Sequence, residues 1–143
     1  MKSAGEIFTE VQNIINNFDG CFSIKNSKGQ YLYANDAWLS FENHKLADFI
    51  GKTDEDVLSP ENARITSKRD KEAFEKMVPI EYTCSITLNE KPVSFFVIKW
   101  VICIIPGQPL FLYTLADLLE KKDHVLKHRK HIDAFFETKI ISE

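Results

Sequence analysis

The stretch Ile80-Glu81-Tyr82-Thr83-Cys84-Ser85-Ile86-Thr87-Leu88-Asn89-Glu90-Lys91-Pro92-Val93-Ser94-Phe95-Phe96-Val97-Ile98-Lys99-Trp100-Val101-Ile102-Cys103-Ile104 decides the fold. Its first nine residues alternate apolar and polar, the period of a strand with one wet face. Asn89 to Pro92 turns the chain. Val93 to Ile104 is then apolar on both faces, with Phe95, Val97 and Val101 on one and Phe96, Ile98, Trp100 and Ile102 on the other. A strand apolar on both sides must be covered on both sides. An edge strand followed by an interior strand is therefore expected. Pro106-Gly107-Gln108 turns into a last strand over Pro109 to Ala116.

Further towards the amino terminus, Cys21 to Lys25 and Gln30 to Ala34 are short aromatic and branched runs joined by Asn26-Ser27-Lys28-Gly29. They predict a hairpin with Gly29 at positive φ. Asn35 suits the N-cap of a short helix, and helical pieces punctuated by Gly51 occupy residues 36 to 58. A longer helix starts near Pro60 and closes before Pro79. Ser3-Ala4-Gly5-Glu6 has capping-box form. Ile7, Val11, Ile14, Ile15 and Phe18 then mark one apolar face of a helix over about residues 4 to 17, which Asp19-Gly20 breaks. From Asp117 onward the pattern is helical again: Leu118, Val125 and Ile132 recur every seven residues, although Lys122 and Arg129 interrupt the complementary line of a coiled coil. Five antiparallel strands with a helical crossover on one face make an α+β architecture. The first helix is a natural cover for the other face, or for its twin in a second chain.

One domain fits 143 residues, and 44% hydrophobic content supports a core. Eighteen Lys and Arg against 21 Asp and Glu leave a net charge of −3, the wrong sign for gripping nucleic acid. Three Cys without a C-x-x-C pair indicate reduced core fillers and a cytoplasmic setting. The apolar stretch from Val93 is half a membrane span and is broken by Lys99, so neither a membrane segment nor a signal peptide is expected. No G-x-S-x-G, P-loop or H-E-x-x-H occurs, and catalysis is not expected. His124, His128 and His131 share a helix face, but the third lies roughly 10 Å along the axis from the first at 1.5 Å per residue, so the three cannot hold one metal ion. They, with Lys121, Lys122, Lys127, Arg129 and Lys130, are expected on a solvated linker.

Ile24-Lys25-Asn26-Ser27-Lys28-Gly29-Gln30-Tyr31-Leu32-Tyr33-Ala34-Asn35-Asp36-Ala37 resembles the opening of a PAS domain. Phe49-Ile50-Gly51-Lys52-Thr53-Asp54-Glu55-Asp56-Val57 resembles its I-G-K-T-x-x-D segment, and Leu115-Ala116-Asp117-Leu118 stands where the family reads D-I-T, with Leu-Leu replacing Ile-Thr. The resemblance covers residues 18 to 119. It implies a sensory and dimerising module, with residues 1–17 as an amino-terminal helix and 120–143 as a helical linker to an output domain in cis. Regulation of transcription is the output it favours, and the spelling is also similar to PAS segments of TraJ-type conjugation activators. A histidine-kinase sensor and a stand-alone ligand-binding PAS protein are the alternatives. An enzyme on a similar scaffold would be favoured by a buried Asp or Glu beside a Tyr in a cavity.

The family's cofactors find no matching residues. Gly51 to Leu58 lacks the Cys of flavin photochemistry, and residues 60 to 77 lack the haem-ligating His; His44 is read as a solvated loop residue. Arg64, Arg69 and Lys99 are the candidates for binding a carboxylate and are expected to be solvated. What remains is an apolar cavity for a small molecule, lined by Phe41, Phe49, Phe74, Tyr82, Cys84, Phe95, Val97 and Tyr113, unless these side chains pack without a void. A homodimer is expected through Ile7, Val11, Ile14, Ile15 and Phe18.

Overall fold

The computed structural model describes residues 4–14, 18–40, 45–88, 90–103 and 110–142. Helix α1 (Ala4–Ile14) leads into β1 (Cys21–Asn26) and β2 (Tyr31–Ala34). These pair antiparallel about a turn in which Gly29 takes φ 78°, a conformation open to glycine because it lacks Cβ. The crossover comprises α2 (Asp36–Ser40), α3 (Leu46–Phe49), α4 (Asp54–Val57) and the long α5 (Pro60–Lys76). Strands β3 (Ile80–Leu88), β4 (Lys91–Ile102) and β5 (Phe111–Leu118) follow, then a 3-10 turn (Leu119–Lys121) and α6 (Lys122–Ser142). The strand order β2-β1-β5-β4-β3, antiparallel throughout, puts β3 at an edge and β4 inside, as its two-sided apolarity requires.

Local chemistry sets the boundaries. Asn35 accepts from Trp38 N at 3.1 Å as the cap of α2. The same Oδ1 accepts from Phe22 N at 3.0 Å, while its Nδ2 donates to Gly20 O at 2.8 Å. One side chain thus ties the crossover to β1. Ser59 Oγ accepts from Asn62 N at the start of α5, Pro60 fills the first helical position, and Met77 ends the helix in a left-handed conformation.

The sheet divides two cores by strand alternation. On the outer face Phe22, Ile24, Phe96, Ile98, Trp100, Tyr113 and Leu115 meet Val11, Phe18, Val125, Ile132 and Phe136 from the two terminal segments. On the inner face Cys21, Phe95, Val97 and Ala116 meet Tyr31, Trp38, Leu39, Phe49 and Val57. The sheet continues to Leu118, two residues into the stretch expected to be helical. Nor is α6 a solvated linker: Val125 and Ile132 of its heptad line are buried on the chain's own sheet, because the outer face offers more apolar area than α1 can cover. His128 is buried too, its ring 4.8 Å from that of Phe18 and its Nδ1 2.8 Å from His124 O. Burial pulls its pKa below the ordinary value. The turn expected at Pro106-Gly107-Gln108 and the cap at Ser3 lie outside the described residues.

Candidate functional site

Small side chains on neighbouring strands open the inner face. In the β1–β5 register Cys21 stands opposite Ala116 and Ser23 opposite Thr114. Three of these short side chains, Cys21, Thr114 and Ala116, border a gap where the crossover helices sit above the sheet. The resulting cavity, about 60 Å³, is walled by Cys21, Trp38, Leu58, Asn62, Ile65, Thr66, Tyr82, Cys84, Ile86, Phe95, Val97, Lys99, Thr114 and Ala116. That is well above the roughly 10–15 Å³ a cavity needs to hold one water.

Of the residues expected to line it, Tyr82, Cys84, Phe95 and Val97 do so. Tyr113 does not. It shares its strand parity with Leu115, and faces Trp100 and Phe136 in the outer core. Phe49 is buried on the inner side but packs edge-on against Tyr31 at 4.8 Å, behind the cavity wall. Phe74 borders a separate, polar cleft with Ser27, Gly29, Thr53, Glu55 and Lys71. Phe41, like His44, lies outside the described residues. On α1, Val11 is fully buried, and with Phe18 it packs on the chain's own outer core, with Ile7 and Ile14 half-buried beside them; Ile15 lies outside the described residues. Within the chain these side chains serve as sheet cover.

A buried ion network, which the sequence reading missed, adjoins the cavity. Lys25 and Lys99 are 1% and 0% exposed. Lys25 Nζ lies 2.6 Å from Asp54 Oδ2 and 2.6 Å from Asp70 Oδ2, and Lys99 Nζ lies 2.7 Å from Asp70 Oδ1. Tyr31 Oη donates to Asp54 Oδ1 at 2.6 Å and accepts from Trp38 Nε1 at 3.2 Å, while Thr66 Oγ1 donates to Asp54 Oδ2 at 2.8 Å. Two cations and two carboxylates cancel, which is the condition for burying them.

The network is nevertheless uneven. Burial pulls the Lys25 ammonium down, but Asp70 and Asp54 together raise it above the ordinary lysine value. For Lys99 burial wins: Asp70 lifts it, Lys25 repels it, and its pKa lies below the ordinary value. Burial pushes the Asp70 carboxyl up, yet Lys99 and Lys25 outweigh it and hold the group low. Lys99 Nζ also donates to Thr114 Oγ1 at 3.1 Å. The ammonium thus makes one hydrogen bond, to Thr114, beside its ion pair with Asp70, and the residue forms part of the cavity wall.

Lys99 was expected in solvent and is instead the cation that reaches the cavity. Arg69 lies over the Tyr82 ring at 4.6 Å and pairs with Glu72, and Arg64 is exposed. Asp54 and Tyr31 are a buried acid beside a tyrosine, but neither lines the apolar cavity. Cys21 and Cys84 are wall residues whose thiols burial pushes up. Cys103, expected to be buried, is exposed just beyond β4.

An antiparallel sheet in this order, crossed by short helices and one long helix over a central cavity, is the architecture of a PAS domain. The chain belongs to the PAS family: the family model for the PAS fold matches residues 15–116. Similar solved structures include the PAS domain of Bordetella pertussis BvgS, at 14% identity and TM-score 0.69, covering 90% of this chain and 98% of that one. Vibrio cholerae VqmA, solved in complex with ligand and DNA, matches at 16% identity and TM-score 0.64 over 78% of this chain and 50% of its own. The PAS domain of the Cronobacter turicensis quorum-sensing receptor RpfR, in complex with BDSF, matches at 15% and 0.53 over 71% and 94%. No curated protein matches the sequence. None of these matches supports the narrower likeness to TraJ-type activators. Among the described residues no helix is long and apolar enough to cross a membrane.

Proposed function

We propose that this PAS domain senses a small, largely apolar molecule carrying one hydrogen-bond acceptor, and relays its binding to an attached output, most simply transcription through a DNA-binding domain outside residues 1–143. The observation that carries the reading is the cavity itself: apolar walls interrupted by a buried ammonium with an N–H to spare. An acceptor placed against Lys99 would meet a spare N–H and stabilise the charge that burial disfavours. Apolar walls supply affinity and the single polar contact supplies orientation. The ligand complexes of VqmA and RpfR, similar folds, support binding of this kind. Occupancy would press on β4 and β5, whose opposite faces carry α6, and so shift the packing of that helix. The setting we infer is cytoplasmic, and the working unit a pair of chains.

Native mass spectrometry of the protein purified from cells, with melting curves against phenols and short fatty acids, tests this reading. An adduct or an upward shift in Tm is expected, lost in Cys84→Phe, which fills the cavity from the edge strand. A clean apo mass and no shift with either series would overturn it.

A further inference from the structure

Where the sheet hands over to the last helix, three potential ligands from three segments converge. Asp117 lies near the end of β5 and is 7% exposed. Its Oδ1 accepts from Leu118 N at 2.8 Å, but Oδ2 is sealed from solvent and has no hydrogen-bond partner. That oxygen faces the segment entering β1: a Cβ on Gly20 would stand 2.7 Å from it and 2.5 Å from the Phe18 ring. Position 20 must therefore be glycine for the segment entering β1 to pass this close to Asp117. Asp19 is exposed, and His124 projects from the first turn of α6. One donor atom from each of Asp19, Asp117 and His124 lies within 4.8 Å of the other two.

A buried carboxylate oxygen without a donor calls for a cation. Lys121 Nζ sits 3.9 Å from Asp19 Oδ2, on the exposed rim. We propose that Asp19, Asp117 and His124 bind a divalent transition-metal ion, of the zinc or manganese class, at the joint between the sheet and α6. Two carboxylates cancel the charge of such an ion, and the imidazole selects it over magnesium or calcium. Ligands at about 2.0–2.2 Å from zinc stand closer together than 4.8 Å, so the exposed Asp19 and His124 side chains close on the ion by rotamer changes. Three protein ligands leave a fourth position for water. The three histidines of α6 cannot converge on one ion; here His124 becomes a ligand because the fold brings it two carboxylates from elsewhere. Bound metal would clamp the start of α6 to the strand that carries the cavity wall.

The test uses the full 143-residue chain, stripped with chelator and titrated calorimetrically with zinc chloride, manganese chloride and magnesium chloride. One zinc per chain is expected, with magnesium silent. His124→Gln and Asp19→Asn, both at accessible positions, should each weaken zinc binding at least tenfold. Asp117→Asn should do the same, and if it does not fold the two accessible positions decide. Cys103→Ser and His131→Gln should bind zinc as the parent does. Absence of zinc binding, parental affinity in His124→Gln or Asp19→Asn, or loss of binding in either control overturns the site.

Discussion

The two faces of the sheet are made by the same strands and differ in almost everything else. The outer face carries Phe22, Ile24, Phe96, Ile98, Trp100 and Leu115, large side chains sealed by α1 and α6. The inner face carries Phe95 and Val97 but also Cys21, Ser23, Lys25, Lys99, Thr114 and Ala116, small or charged, with a cavity and a four-charge network. Filling a face with bulky apolar side chains gives stability through burial and leaves no space. Placing short and ionic side chains at the sheet centre gives up that packing and creates a chemically selective interior. Strand alternation keeps the two apart, one residue from the next.

The comparison can be broken first at Asp70. Asp70→Ala leaves Lys25 and Lys99 sharing Asp54, and a loss of about 3–5 kcal/mol is expected in urea denaturation. Lys99→Met with Asp70→Leu removes both charges together and should recover most of that loss, turning this part of the inner face into a copy of the outer one. The outer face should answer to volume alone. Ile132→Ala, buried on α6, should cost about 2–5 kcal/mol by the same measurement, unchanged between pH 5 and pH 8. Tyr31→Phe removes the donor to Asp54 and the acceptor for Trp38, and a loss of about 1–3 kcal/mol is expected.

The gentlest test is pH. The Asp70 carboxyl is held below its ordinary value by Lys99 and Lys25, so its contribution is present above the unfolded value of about 3.9 and is lost as pH falls through the folded one. Lys25 runs the other way: its raised pKa adds stability that is present below about 10.4 and lost as pH rises past its folded value. Denaturation midpoints of the parent should therefore fall at both extremes, and the acid limb should flatten in the Lys99→Met, Asp70→Leu pair.

The period of two along β3 and the two-sided pattern of β4 made both strands and the parity of Phe95 and Val97 readable. The hairpin and its Gly29 followed from turn chemistry. Lys25 was not readable as buried. It sits near the end of a short strand before a turn, where a lysine ordinarily reaches water, and its partner Asp70 lies 45 residues away on α5. Lys99 read as a break in an apolar run for the same reason. Tyr113 was placed in the cavity because an aromatic looks like a wall, whereas the void arises where side chains are short. The short side chains of Cys21, Thr114 and Ala116 were the signal available for it. The last helix read as a linker because eight of its 21 residues are charged; its apolar line, Val125 and Ile132, was visible, but which surface would receive it depends on how much of the sheet α1 leaves bare.

The division of the sheet also divides its fluorophores. The protein has two tryptophans, Trp38 in the cavity wall and Trp100 under α6. Each face thus carries its own built-in optical reporter, so emission from a chain keeping just one indole would watch ligand entry or helix movement separately, with no label attached.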